Sequence, residues 1–514
     1  MLVESDFRFI LSGAFALLCA AVWNRIRARK RPANVFARVR GPPCPSWILG
    51  HSRGLLLSPG YTIDQFRWQK EFGAVYRIKG CFGEDRLMVS DPHALTSLYN
   101  LAIFDHTPSF ANKIYMVQGA RSVNYMSFYA QKRIRAGLNP AFSAASVRTY
   151  EPFFEKAAAE LCDTLSAQVE VENANNSLNV VPFLSRAALD ALAQVVFGIP
   201  GEDIDPKLVA SLASSPARCP PAALIADALG TILRVPTWLL QAMGSLPTAA
   251  LRSVAEVRSG GAKLGKQLVE QLVEKDSAAL SEEGSVFASL VAANRCSEKK
   301  PTISLEEIAG QASVMIIGGQ ETTTNTIAFA LLELCQDQHL QDDLRAEILA
   351  LSQEILRFYP GVPLTERVAL HDTLLPLKTP IITEDNETIH AIPIQKGQVL
   401  LAWAGGYHRL EGWGADADKF RPSRWLDGSI SIPDGEAVGP YANLAAFLGG
   451  NRVCLGWRFA LLEMRIFLIH LLKRFKFSLP VCGQNGHVKV ANVVFTLKSD
   501  GRRGLELCLE HLCS

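Results

Sequence analysis

The sequence predicts a mainly α-helical protein with a small β-rich lobe, preceded by an apolar N-terminal anchor. Three observations predict it. From Phe153 to about Glu274 the chain is rich in alanine and leucine and broken at Pro200-Gly201 and Pro220-Pro221, the pattern of successive helices with proline stops. Thr302 to Glu333 reads as one long apolar helix, with Ile308, Ala312, Met315, Ile316, Ile327, Phe329 and Leu331 along it. Ala74–Lys79 and Arg86–Ser90 read as short strands joined by Cys81-Phe82-Gly83-Glu84-Asp85, a hairpin set against the helical body.

Composition bounds the function. The chain has 514 residues, 48% hydrophobic and 20% charged, enough to bury a large core and hide a flat apolar cofactor. A net charge of +2 gives no bulk attraction for nucleic acid. Eleven scattered cysteines, with no C-x-x-C pair, favour reduced thiols over a disulfide framework.

At the N-terminus, Phe9 to Trp23 carries no charge, and Arg25, Arg27, Arg29, Lys30 and Arg31 follow it. A signal peptide would place its charge in front, so residues 1–31 are expected to be a membrane anchor and its basic flank, with the body on the cytosolic side. Gly41-Pro42-Pro43-Cys44-Pro45 is stiffened by proline, so residues 32–50 are expected to be a hinge and 51–514 the catalytic domain. A basic helical stretch, Gln131-Lys132-Arg133-Ile134-Arg135, ends near Asn139-Pro140.

The long apolar helix is expected to start at a capping box made by Ser304 and Glu307. It contains Gly318-Gly319-Gln320-Glu321-Thr322-Thr323. Two adjacent glycines cost about 2 kcal/mol relative to alanine inside a helix, so missing side chains must serve something, such as a ligand lying against the backbone. The Thr322 hydroxyl can reach the Gly318 carbonyl four residues back. An acid beside an alcohol in an apolar helix suits proton relay. Close packing of helices on small residues is the bland alternative. Further on, Glu354 and Arg357 are three apart on one helix face.

The most specific stretch is Phe447-Leu448-Gly449-Gly450-Asn451-Arg452-Val453-Cys454-Leu455-Gly456. Its glycines let backbone N–H groups approach a thiolate at Cys454, and Arg452 can hold an anion beside it. Phe447, Gly450, Arg452, Cys454 and Gly456 match, position by position, the cysteine-ligand loop of the cytochrome P450 family, which this stretch resembles. Five fixed positions at roughly 5% usage arise by chance about once in a few million windows.

The resemblance covers nearly the whole chain and looks most like fungal P450s of specialised metabolism. It implies the cytochrome P450 fold and a b-type haem bound by Cys454 as axial thiolate. It implies Arg452, Arg135 and Arg367 as propionate partners. Gln131 stands where the family carries an aromatic residue or histidine, and can still donate a hydrogen bond. The resemblance also implies Glu321 and Thr322 as the acid–alcohol pair of oxygen activation. Phe420-Arg421-Pro422-Ser423-Arg424-Trp425 resembles the segment whose Arg424 joins Glu354 and Arg357 in a buried network. The loop from Val362 to Thr365 is expected to line the substrate pocket, and Val493–Lys498 with Gly504–Leu509 to form a final hairpin.

The implied activity is monooxygenation of an apolar small molecule, such as a terpenoid or other secondary metabolite, with O2. No nicotinamide or flavin loop is evident, so electrons are expected from an NADPH-dependent P450 reductase at the endoplasmic reticulum membrane. Lys132 and Arg133 are candidates for docking that donor. One departure stands out. Where the family carries a few dozen residues before Glu354, almost nothing separates it from Leu344-Arg345-Ala346-Glu347-Ile348. The alternatives are a haem–thiolate isomerase or dehydratase and, because that segment is shortened, an inactive haem-binding remnant.

Overall fold

The computed structural model describes residues 35–57, 63–100, 102–172, 177–213, 249–296, 303–337, 339–341, 347–430, 432, 437–480, 489–490, 497–499 and 502–512. The expected anchor lies outside the described residues. Among the described residues no helix is long and apolar enough to cross a membrane.

Helices dominate, as their alanine and leucine content requires. The Ala312–Gln336 helix is the central one, and every residue from Thr323 to Leu332 is buried. Around it pack Val181–Leu192, Ala249–Glu274, Ile348–Phe358 and Trp457–Arg474. The expected single helix from Thr302 is in fact two. Ser304 and Glu307 make the capping box, but it caps the short helix Leu305–Ala309. The chain then breaks at Gly310 and Gln311 because both are committed to a distant loop. A Cβ on Gly310 would stand 2.5 Å from the Arg121 Cβ. The Gln311 amide donates to the Arg121 carbonyl at 2.7 Å, and its oxygen accepts from the Val123 N–H at 3.0 Å.

The hairpin pairs Val75–Lys79 with Asp85–Val89, from Val75 opposite Val89 to Lys79 opposite Asp85. It belongs to a five-stranded sheet. Asp85–Val89 runs parallel to Val399–Trp403, which pairs with Leu364–Ala369, which pairs in turn with Phe104–Asp105. That order carries Arg367 and Asp105 to one sheet edge. A second hairpin, Thr373–Ile382 with Thr388–Ile394, was not read from the sequence.

Two expectations are corrected here. The described part of the proline-rich segment is not a detached elbow. Phe36 and Val39 are 1% exposed, Val39 bridges to Thr383, and the Arg77 N–H donates to the Arg40 carbonyl at 2.9 Å. Nor do the final strands form one hairpin. Leu497–Ser499 pairs with Arg502–Arg503, while Glu506–His511 pairs with Phe475–Ser478 and Leu178–Asn179; Val493 to Thr496 lie outside the described residues. Apolar alternation at Leu505, Leu507 and Leu509 buries those side chains in the core.

Before Glu354 a single helix, Ile348–Phe358, runs through the shortened region, and 342–346 lie outside the described residues. Its Glu354 is fully buried and heavily bonded. Arg357 donates to it through Nε at 2.9 Å and Nη2 at 2.8 Å, and Arg424 Nε donates at 3.0 Å. The Arg421 N–H and the Trp425 indole complete the set. Arg357 also caps the carbonyls of His408, Ala417 and Lys419. Burial pushes the Glu354 carboxyl up, but the Arg357 hydrogen bond and charge, with Arg421 and Arg424, bring it below its usual value. Removing one partner strands a buried charge, which costs about 3–5 kcal/mol. Glu354→Ala is therefore expected to lower unfolding stability by that order in urea titration; a loss below about 1 kcal/mol would contradict the network's role.

Candidate active site

Beneath the sheet edge, between the central helix and the Cys454 loop, lies a cavity of about 370 Å³. Its lining includes Cys454, Gly456, Phe447, Arg452, Arg367, Arg135, Gln131, Gly318 and Thr322. Both glycines of the central helix have separate reasons. A Cβ on Gly319 would stand 2.5 Å from Leu192 Cδ1, so that glycine allows helix packing. A Cβ on Gly318 would meet nothing within 4 Å, and that position opens onto the cavity.

The Cys454 loop is shaped by unusual backbone. Leu448 has φ +58° and Gly450 φ +53°. The Leu448 conformation is strained for a side-chain-bearing residue, a feature that clusters at functional sites. A Cβ on Gly449 would stand 2.3 Å from the Val438 carbonyl. The Cys454 N–H donates to the Phe447 carbonyl at 2.8 Å. Gly456 then caps the Trp457–Arg474 helix, so the sulfur sits by the positive end of a helix dipole. Burial among protein atoms pushes the Cys454 thiol up, while a Gly456 backbone hydrogen bond and the Arg135 charge pull it down. The residue is nevertheless classed as exposed, and it lines the cavity.

The cations have open valences. Arg452 Nη2 donates to Asp105 Oδ1 at 2.6 Å, but its buried Nη1 has no partner. Arg367 Nη1 donates to the Glu366 carbonyl at 2.8 Å and contacts His106 Nδ1 at 3.1 Å, while its buried Nη2 has no partner. Burial lowers Arg367 to about 10 and lowers Arg135 and Arg452, so all three stay charged at neutral pH. His106 is pushed well below its usual range by burial, then by Arg367 and Arg452, and is neutral. Buried guanidinium hydrogens without acceptors are costly, and the two carboxylates of a haem are the kind of acceptor they lack. A thiol, a cationic rim and a largely apolar wall fit haem.

Thr322 Oγ1 donates to the Gly318 carbonyl at 2.7 Å. Glu321 is half-buried on the same helix and is not among the lining residues. Gly450 shapes the loop without lining the cavity. Val362 and Thr365 line it. Lys132 is exposed, and Arg133 faces outward in an ion pair with Glu307.

Two residues were missed as site members. His106 follows the short strand that carries Asp105, and no local signal marks it. Glu463 did leave a signal, a lone acid between Leu462 and Met464. It is fully buried, and neither carboxyl oxygen has a hydrogen-bond partner. Burial pushes its carboxyl up to about 8, against a pull from the Thr323 hydroxyl, which faces it without a well-aligned bond. Thr323 and Met464 both line the cavity.

A sequence model described as Cytochrome P450 matches residues 40–353 and 350–488. The two matches meet in the shortened stretch before Glu354. Cytochrome P450 monooxygenase 91 of Postia placenta is 27% identical over 508 residues, covering 90% of this chain and 92% of its own. Cytochrome P450 monooxygenase claQ of Ampulloclitocybe clavipes is 27% identical, covering 98% and 97%. The structure of retinoic acid bound cyanobacterial CYP120A1 overlays with TM-score 0.67 at 20% identity, covering 92% and 100%, and shares the fold.

Glu463 sets a pH signature. Its folded pKa of about 8 lies above the unfolded value of about 4.3, so the folded state holds a proton that the unfolded state releases between those values. Stability is therefore full below about pH 4 and falls as pH rises through 8. Chemical denaturation at pH 5.5 and pH 8.5 is expected to show Glu463→Gln gaining a few kcal/mol relative to the parent at the higher pH. An unchanged difference would contradict the assignment.

Proposed function

The chain belongs to the cytochrome P450 family and is a haem–thiolate monooxygenase, and from that premise we propose that it oxidises a mainly apolar small molecule of specialised metabolism, of terpenoid type. One observation carries the reading. Cys454 and Thr322, from elements far apart in sequence, line one cavity together with Arg135, Arg367 and Arg452. The substrate part of that cavity is walled by Phe110, Ile114, Val196, Val314, Met315 and Val362, which suits a hydrocarbon body.

When bound, haem supplies the activation of O2 and the insertion of one oxygen atom into a C–H bond. The chain's own residues do the rest. Cys454 would hold the iron, with Gly456 and the helix start stabilising its thiolate. Arg452, Arg367, Arg135 and Gln131 would hold the propionates, with His106 as a neutral neighbour that keeps Arg367 in place. Thr322 keeps its proton on the Gly318 carbonyl, which leaves its oxygen lone pairs to accept a hydrogen bond from the cavity side. Glu321 resupplies protons from the solvent side of the helix. Glu354, Arg357 and Arg424 fix the helix whose Leu356 lines the cavity.

Electrons come from a separate NADPH-dependent P450 reductase at the endoplasmic reticulum. The apolar run Phe9–Trp23 with its basic flank supports membrane attachment, and Lys132 supplies positive charge for an acidic donor. Expression beside such a reductase, in cells fed terpenoid intermediates, is expected to give oxygenated products. Cys454→Ala abolishes both turnover and the thiolate band of the reduced carbon monoxide complex. Thr322→Ala keeps that band and NADPH consumption but lowers product per NADPH at least several-fold, on the order expected for a lost acid–base group. Full coupling in Thr322→Ala overturns the proton role; a normal band in Cys454→Ala overturns the whole reading.

A further inference from the structure

Within the otherwise apolar wall, Gln118 and Asn124 line the cavity side by side. Gln118 is the last residue of the Pro108–Gln118 helix, and Asn124 lies in the loop between it and the Phe128–Leu138 helix. The Gln118 Oε1 accepts from Ser122 Oγ at 2.7 Å and from Asn124 Nδ2 at 3.2 Å. Those two bonds use both lone pairs of that oxygen and fix the orientation of both amides. What they leave over is the Gln118 NH2, a donor, and the Asn124 Oδ1, an acceptor, neither with a partner among the described residues.

The pair is held rigidly. The Asn124 N–H donates to Ser122 Oγ at 3.2 Å. The neighbouring Val123 N–H is tied to Gln311, which is itself fully buried and bonded to the Arg121 carbonyl. These bonds pin the loop to the start of the central helix. The pair is also separate from the cationic rim, whose partners Asp105, His106 and Glu366 sit on the sheet edge.

We propose that Gln118 and Asn124 form a specificity clamp for a hydroxyl group carried by an otherwise apolar substrate. The inference rests on the monooxygenase reading and narrows its substrate class to a terpenoid alcohol. A hydroxyl satisfies both open groups at once, accepting from the Gln118 NH2 and donating to the Asn124 Oδ1, and it is the smallest such group that an otherwise hydrocarbon molecule carries. A ketone leaves Asn124 unpaired, a carboxylate is repelled by its oxygen, and a pure hydrocarbon strands both. Because a buried polar group left unmatched is penalised, the clamp discriminates against the deoxy analogue while fixing which end of the molecule points away from Thr322. The reaction that supplies this substrate is accordingly one that has already placed a hydroxyl on the hydrocarbon skeleton, a water-quenched cyclisation or an earlier hydroxylation.

The test uses the full-length holoenzyme and matched pairs of alcohol and parent hydrocarbon: cedrol with cedrane, farnesol with farnesene, bisabolol with bisabolene. Dissociation constants are read from the ligand-induced shift of the haem absorption band. In at least one pair the alcohol is expected to bind about tenfold more tightly, the size of one or two net hydrogen bonds. The ratio within that pair is expected to fall to about one in Gln118→Leu and in Asn124→Leu. Should either leucine variant fail to fold, Gln118→Met or Asn124→Ala takes its place, with the same ratio of about one expected. No preference in any pair, absence of binding included, overturns the clamp, as does a preference that survives loss of both amides. A wild-type protein without the thiolate carbon monoxide band would instead sink the monooxygenase reading, so the two failures are distinguishable.

Discussion

The arginines of this chain receive two opposite treatments, and the difference between them organises the molecule. Arg357 and Arg424 are fully buried, and their hydrogen bonds end on Glu354, on Asp416 and on backbone carbonyls. Arg367 and Arg452 are equally committed to the interior at their stems but each keeps an Nη without a partner at the cavity. A guanidinium cannot shed its proton to escape burial. At the cavity, the open nitrogens of Arg367 and Arg452 call for an anion, whereas Arg357 and Arg424, fully satisfied, serve as structure. The same residue type thus marks the scaffold in one place and the cofactor rim in the other.

That division explains how the sheet and the helices cooperate. The sheet edge brings Arg367 beside Asp105 and His106 through the pairing of Leu364–Ala369 with Phe104–Asp105. The helical body brings Cys454 and Thr322 into the same lining through the packing of Trp457–Arg474 on Ala312–Gln336. Neither layer alone holds the site. The Glu354 network lies beneath the junction and contacts the loop that precedes the cysteine segment, through the carbonyls of His408, Ala417 and Lys419. His408, whose carbonyl Arg357 holds, in turn accepts from the Ala445 N–H at 2.9 Å, three residues before Leu448.

What was legible in the sequence was local. The Cys454 loop, the Gly318-to-Thr323 segment and the Val75-to-Val89 hairpin declare themselves because glycine, proline and period-two patterns act within a few residues. What was not legible depends on contacts across the chain. The break at Gly310 answers to Arg121, 189 positions earlier in numbering terms from residue 310 to 121. The last strand pairs with Phe475–Ser478 and Leu178–Asn179 rather than with its nearer neighbour, setting Leu509 opposite Phe477 and Leu507 opposite Leu178 with both leucines buried. His106 matters through Arg367, which no spacing rule relates to it. The shortened run before Glu354 was visible as a departure, and the two family matches meeting at residues 350–353 lie on that same stretch.

Glu463 shows how far burial can set chemistry without a charged partner. It lies on the helix that begins just after Cys454, and it faces Thr323, the neighbour of Thr322. Ionised, it would add a second negative charge to the helix that follows the thiolate. Burial, which pushes its carboxyl up to about 8, keeps it neutral near pH 7, and so removes a repulsion that would otherwise raise the thiol further. A glutamine would be neutral at every pH and a leucine would be drier still. The Thr323 hydroxyl faces the carboxyl without a well-aligned bond, so the helix that follows Cys454 and the central helix meet here through a group that carries no net charge. The spacing of the two walls of the cavity is then held by packing plus a neutral polar contact, and the electrostatic field at Cys454 is left to Arg135 and the helix start.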